Sequence, residues 1–243
     1  SELSQIALPG ARVRVAFGRG SALHDAFIVE VVETSEFDGK LSPLAEVVSE
    51  AAVLTQETFE LARAVADRQA ATVSDVLRLA VPDRSVAIEK KWLLAPRPSS
   101  TSAANTARTA VRETALIRPV VTQNGPEWAR FVADKAIEAS RQGLSSIIVV
   151  PDFRDQAQIF EYLANSEAAN FVVDYSTAQT KSKRYASFLT CLSADSSIVV
   201  GSRSAIYAPV RNLRNLIIWD DGDTSHQEPS SPYSHTREVA LLR

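Results

Sequence analysis

Between positions 178 and 214 the basic residues are Lys181, Lys183, Arg184, Arg203, Arg211 and Arg214, and the only acid is Asp195. Asp220, Asp221, Asp223 and Glu228 follow at once. Clustered cations attract phosphates, and a carboxylate group beside them has the composition of a metal-type site. The competing reading is a solvated surface whose charges mix in three dimensions. Arg203 comes just after the apolar run SIVVGS (197–202), at the carboxyl end of an expected buried strand, where open parallel sheets place their ligands. Its guanidinium can hold a phosphate through two parallel bonds. Arg211 and Arg214 lie on the loop after Pro209, so three phosphate contacts are expected, with Lys181, Lys183 or Arg184 as a fourth. Alternatively, Arg203 pairs with Asp220 or Asp221 and ties two strand ends together. His24, His226 and His235 lie far apart in sequence, no serine sits in a G-x-S-x-G context, and Cys191 falls on an amphipathic helix as a small core residue. No metal site is expected. Trp128 is expected in a helix core rather than stacked on a base.

Those residues need a scaffold, and 243 residues allow one large domain or two small ones. The chain is 45% hydrophobic and 23% charged, ordinary globular usage. A net charge of −3 argues against a wholly basic nucleic-acid binder. No apolar run approaches the roughly 18 residues of a membrane helix, so no membrane partner is expected. The lone Cys191 excludes a disulfide framework and a cysteine-built zinc site within these residues, and a cytoplasmic location fits. The sequence opens at Ser1 and contains no methionine, so it reads as N-terminally trimmed or as a chain with residues removed.

The period of the apolar residues predicts the elements. ARVRVAF (11–17) alternates as a half-buried strand with Val13, Val15 and Phe17 on one face; AFIVEVVE (26–33) predicts a second strand and 43–48 a third. Thr55 is the expected N-cap of a helix with Phe59, Ala62, Val65 and Ala66 inward, and a shorter helix over 74–79 stops before Pro82. Residues 93–112, rich in Pro, Ser, Thr, Ala and Asn, read as a flexible linker between a first domain (1–92) and a second (113–243). Beyond it the rhythm is strand, helix, strand: ALIRPVV (115–121), a helix over 127–143 with Trp128, Phe131, Val132, Lys135 and Ala139 on one side, SIIVVP, a helix, NFVVDY, a helix, SIVVGS and NLIIWDD. The expected fold class is α/β: a small β-rich domain with two helices, then a parallel sheet covered on both faces.

The run from Ile198 to Arg243 resembles one family, the primosomal replication-restart proteins of the PriA type, which are superfamily 2 helicase-like proteins. Their first helicase lobe, a RecA-like sheet, carries G-T-R-S-A-hydrophobic-F-x-P, a short basic loop, an apolar strand into D-E-E-H-D, and then a tyrosine, a histidine and R-D-hydrophobic-A. Gly201, Arg203, Ser204, Ala205, Pro209, Asn212, Leu213, Asp220, Tyr233, His235, Arg237 and Ala240 stand at matching positions. GARVRVAFG (10–18) and the helix pair within 53–82 resemble the family's N-terminal domain, which captures the 3′ end of nascent DNA. The resemblance implies DNA contacts at Gly18, Arg19, Arg203, Ser204, Arg211 and Arg214.

The departures bear on chemistry. Counting back from GLSSIIVVPD, the family's phosphate-binding loop T-G-S-G-K-T falls on Asn124, Gly125, Pro126, Glu127, Trp128 and Ala129. The lysine position is Trp128 and the magnesium-binding threonine position is Ala129. Such a loop works by aiming amides and a lysine at phosphates. Asp220 keeps the metal-binding place of the Walker B strand, and Asp221 replaces the water-activating glutamate. The family's winged-helix domain has no counterpart here, a pocket lysine falls at about Ser42, and zinc is implied only in a module beyond Arg243. The expectation is a divergent, N-terminal part of such a protein. It binds forked or single-stranded DNA and scaffolds primosome and replication proteins, with no cofactor in this segment and no ATP-driven unwinding. The alternative is an active ATP-dependent 3′–5′ DNA helicase with a non-standard nucleotide site.

Overall fold

The computed structural model describes residues 7–17, 22–35, 37–39, 41–95, 113–117, 120–123 and 125–243. The chain begins with an antiparallel sheet of order β2-β1-β3, formed by β1 (Ala11–Ala16), β2 (Leu23–Phe27) and β3 (Glu46–Ala52). Gly10 leads into it at φ 87°, where Val53 and Leu54 both donate to its carbonyl; a Cβ there would lie 2.4 Å from the Leu54 carbonyl oxygen. The second strand lies earlier than the sequence predicts. Arg12 pairs with Phe27 and Ala16 with Leu23, so by Ile28 the partner strand is used up. Val29, Val31 and Val32 therefore remain exposed, because hairpin register, not β-propensity, decides which residues pair. The third strand is shifted later than expected for the same reason. Phe17, expected on the buried face, lies past the end of β1 and is 76% exposed.

Three helices follow: α1 (Gln56–Gln69), α2 (Val73–Ala80) and α3 (Val86–Leu94). Thr55 accepts from the Thr58 amide as the expected cap, and Thr72 with Asp75 forms a reciprocal capping box on α2. Helix α3 was not foreseen; it crosses the expected domain edge at residue 92 and ends at Leu94. The remainder of the expected linker, 96–112, lies outside the described residues.

The predicted strand 115–121 is not a strand of the main sheet. Residues 113–117 are irregular, and only β4 (Val121–Thr122) pairs, with β5 (Gly125–Pro126). An apolar run becomes a strand only where a neighbour takes its backbone hydrogen bonds, and among the described residues 115–117 have none in the sheet. Helix α4 (Glu127–Arg141) then leads into β6 (Ser145–Val149), α5 (Phe153–Ala164), β7 (Val172–Tyr175), α6 (Lys181–Ser193), β8 (Ile198–Gly201), β9 (Leu213–Ile218) and α7 (Thr236–Leu242). The four long strands form an all-parallel sheet of order β7-β8-β6-β9.

Alternation along β6 sends Ile148 to one face and Ile147 and Val149 to the other. The first face packs on α4 and α5 through Trp128, Val132, Ile159 and Leu163. The second packs on Tyr185, Phe188 and Leu189 of α6, on Val239 of α7, and on Val65, Val76 and Ala80 of α1 and α2. On α4 the buried stripe is Trp128, Ala129, Val132, Ala133, Ala136, Ala139 and Ser140. Phe131 and Lys135, placed inward by the sequence reading, sit together on the exposed side, where the Lys135 ammonium lies 5.1 Å from the Phe131 ring centre. Small alanines let α4 approach the sheet closely, which turns the bulkier Phe131 outward.

Candidate nucleic-acid interface and the altered nucleotide site

The head of α4 is where a phosphate cradle would stand. Asn124 lies outside the described residues. Gly125 has φ 95° and packs so tightly that an added Cβ would lie 2.9 Å from the Tyr162 hydroxyl oxygen. That hydroxyl donates to the Pro126 carbonyl at 3.4 Å. Pro126 carries no N–H, and the Glu127 amide already donates to Val120 at 2.9 Å. Glu127 adds a carboxylate to the first turn. Trp128 is buried and stacks on Trp219 with ring centres 4.1 Å apart and planes 7° from parallel, while Ala129 is fully buried. The residues present therefore do not fit a nucleotide triphosphate: a carboxylate and an indole stand where a lysine and free amides are required.

Trp219 follows β9 and leads into the carboxylates. Asp220 sits at φ 48° and is exposed; its carbonyl accepts from the Asp223 amide at 3.0 Å, closing a turn. Asp221 pairs with Arg237 at 3.0 Å in the open. Asp223 caps the 3₁₀ turn Thr224–His226, and hydrogen bonds from Ser225 hold its carboxyl below the ordinary value. Burial raises Asp155, in the first turn of α5, with the charges of Asp152, Asp220 and Asp223 adding to it. Asp152 and Asp155 follow β6, and Asp220, Asp221 and Asp223 follow β9, so all five lie after the carboxyl ends of adjacent strands. Among the described residues, no set of three or more His, Cys, Asp or Glu is placed to hold a metal ion.

Arg203 begins the 3₁₀ turn Arg203–Tyr207 after β8, as expected, but its half-buried side chain is engaged within the protein. Its Nε donates to Glu228 at 3.0 Å, and its Nη1 lies 3.4 Å from the Ser225 carbonyl oxygen. Glu228 is buried and also accepts from Ser230. The internal partner is thus Glu228, not Asp220 or Asp221. Ser204 is half-buried beside it. Arg211 and Arg214 stand at the other end of the sheet. Arg211 pairs with Asp195 at 3.7 Å, and Arg214 is exposed at the start of β9. Six residues of β9 separate that edge from the carboxyl edge, about 20 Å at the rise of a strand. The single groove expected from Arg203, Arg211 and Arg214 is therefore divided between opposite edges. Chain order placed these arginines close together, but the crossover from the end of β8 to the start of the parallel β9 carries the chain from one edge of the sheet to the other between Arg203 and Arg211. Lys181, also expected to add a phosphate contact, pairs with Asp83 at 3.0 Å.

Gly18 and Arg19 lie outside the described residues. Arg14 is shared between Asp25 and Glu46, each at 3.3 Å. Phe17 and His24 meet edge-on, ring centres 6.3 Å apart, at the open end of β1 and β2. His226 and His235, nearby in the chain, also come together, with ring centres 5.9 Å apart. His226 is buried with Nε2 on the Trp219 carbonyl, and the Nδ1 of His235 caps α7. Burial and the Arg237 charge lower the pKa of His235. The sequence reading missed Glu89, which is fully buried and hydrogen-bonded from three separate segments. The available signal was a lone acid between Val86, Trp92 and Leu93 on one helix.

The fold joins an antiparallel sheet with helices to a four-stranded parallel sheet, and stacked indoles occupy the head of α4. Residues 1–82 match the family model of the PriA 3′DNA-binding domain (3′BD). The whole chain is 38% identical over 259 residues to the probable replication restart protein PriA of Mycobacterium leprae, and 38% identical over 256 residues to that of Mycobacterium tuberculosis. The replication restart protein PriA of Treponema pallidum is 25% identical over 255 residues, 98% of this chain. The chain spans 39% of the length of the two mycobacterial relatives and 38% of the Treponema protein. The similarity to these PriA proteins runs over nearly all of this chain and over a part of each of theirs. No helix among the described residues is long and apolar enough to cross a membrane.

Proposed function

We propose that this chain is the DNA-anchoring part of a replication restart protein. In this reading it binds branched or single-stranded DNA at stalled forks, offers its parallel-sheet lobe as a scaffold for primosome proteins, and turns over no ATP. The observation that carries the reading is the Trp128–Trp219 stack at the head of α4, in a chain whose first 82 residues match a 3′DNA-binding domain. Differential charge stabilisation by amides, lysine and magnesium is the main catalytic resource of nucleotide hydrolysis, and the fill at this position removes the first two. Binding is then a matter of phosphate and 3′-end contacts and should be independent of base sequence. The cytoplasm, where the chromosome is copied, is the compartment this role implies, and zinc belongs to the family's further length rather than to these residues.

The test is phosphate release by the full-length protein with ATP, Mg²⁺ and forked DNA, alongside fork binding by fluorescence anisotropy. Binding with phosphate release at buffer background is expected. Turnover of about one per second or more, abolished by Asp220→Ala, would favour an ATP-dependent 3′–5′ helicase instead. The DNA path has its own check. Arg203→Ala is expected to lower the melting temperature, because Glu228 loses its partner, while single-strand affinity and its salt dependence stay at wild-type values. A slope of log affinity against log salt flattened by about 0.7 would show that Arg203 contacts a phosphate after all.

A further inference from the structure

The 3′DNA-binding domain and the parallel-sheet lobe share one buried apolar cluster. Val65 of α1 and Val76 and Ala80 of α2 belong to it together with Tyr185, Ile206 and Val239. Polar contacts cross the same boundary. Gln69 donates to Glu238 at 2.6 Å, the Ser231 hydroxyl meets Asp75 at 3.0 Å, and Arg78 donates to the Ser231 carbonyl at 3.2 Å.

Within this boundary lies one fully buried carboxylate, Glu89. It stands on α3, just past the matched residues 1–82. Its Oε1 accepts from the Ser49 hydroxyl of β3 at 2.5 Å and from Arg84 Nε at 2.7 Å; its Oε2 accepts from the Tyr185 hydroxyl of α6. Ser49 Oγ is itself fixed, since it accepts from the Ala51 amide at 3.0 Å. Burial pushes the Glu89 pKa up, but the bonds from Ser49, Tyr185 and Arg84 outweigh it, leaving it below the ordinary value and the group ionised at neutral pH. An ionised carboxylate only accepts, so both hydroxyls must turn their protons towards it. Ser49 belongs to the 3′DNA-binding domain and Tyr185 to the lobe. Separating the two leaves a buried charge short of donors, which is far costlier than losing an exposed contact.

We propose that Glu89 is a positioning residue whose carboxylate joins the 3′DNA-binding domain to the lobe as one cooperative body. DNA held by the first is then presented to the second in a fixed orientation. The inference rests on DNA binding by the N-terminal domain and is independent of ATP turnover.

Two measurements on this chain test it. Calorimetry is expected to show one unfolding transition for the wild type and two for Glu89→Leu. Tyr185→Phe keeps the ring in the core and removes only the lobe's hydroxyl; it carries the test if the leucine variant does not fold, and is also expected to split the transition. Hydrogen exchange gives the second readout. A single strand with a free 3′-hydroxyl, at 100 times its dissociation constant, should slow globally exchanging amides by up to about 100-fold. In the wild type the slowing should reach β6, β8 and β9 as well as β1 and β3. In the variants it should stay within residues 7–82. The proposal is overturned if the wild type already melts in two steps, if its DNA-induced slowing stops at the domain, or if the variants merely melt earlier with the coupling intact. Should the strand fail to bind at all, the DNA reading fails, while the number of transitions still decides the coupling.

Discussion

Glu89→Ala is expected to lower the unfolding free energy by about 3–5 kcal/mol at neutral pH, the usual cost of breaking a buried charged pair. The loss has two parts. Arg84, only 23% exposed at its side chain, keeps its charge without its partner, and the hydroxyls of Ser49 and Tyr185 lose their acceptor. Glu89→Gln keeps the shape and one accepting oxygen and should lose less. The pH dependence separates charge from packing. The folded-state pKa of Glu89 is lowered from its ordinary 4.5, so the folded state binds this proton more weakly than the unfolded chain. Its stabilisation is therefore fully present above the unfolded value and is lost as pH falls through the lowered folded value. Chemical denaturation of wild type and Glu89→Gln between pH 7 and pH 3 measures this directly. The stability gap should hold steady down to about pH 5 and close below about 4.5. A gap that stays constant to pH 3 would mean that the difference between the two side chains does not come from the ionised carboxylate.

Trp128→Ala is expected to cost about 3–5 kcal/mol, as large-to-small changes of buried aromatics do. The indole fills the space between α4 and the sheet against Val132, Ile148 and Ile159, and its stacking on Trp219 adds to what burial supplies. Trp128→Phe should lose less, since a ring still covers Trp219. Equilibrium unfolding followed by near-ultraviolet circular dichroism checks both, because two stacked indoles give a signal that vanishes when either is removed. A loss below about 1 kcal/mol would show that the site collapses around the missing ring, against a rigid fill. Nucleotide should remain without effect on the melting temperature of Trp128→Ala, because emptying the space restores neither the lysine nor the hydroxyl of a cradle.

The altered nucleotide site was legible because it depends on residue types at fixed spacing. On the reading proposed above, a tryptophan at the lysine position and an alanine at the threonine position leave this loop without the side chains that hold phosphates and magnesium. What the sequence did not reveal is what the tryptophan does, since its partner Trp219 is 91 positions away and reaches it only across the sheet face. The strands of the parallel sheet were legible for a different reason. SIIVVP and SIVVGS are apolar on both faces, and only a covered central strand can bury such runs. ALIRPVV has the same character yet forms no strand of the sheet, because strand formation needs a neighbour and composition cannot supply one.

Local chemistry thus determined the cap at Thr55, the helix α2 ending before Pro82, and the alternation of strands and helices. Each of these depends on a few adjacent residues whose conformations and hydrogen bonds are settled within a turn or two. Tertiary structure alone decided that Arg203 answers to Glu228 while Arg211 and Arg214 lie at the opposite edge. It also decided that α4 turns Phe131 outward, and that Ser49, Arg84, Glu89 and Tyr185 meet at one point. The physical reason is common to all three. A buried charge or a large ring is settled by whichever distant group can satisfy or cover it, and that choice is made by the packing of the sheet and its helices, not by neighbours along the chain.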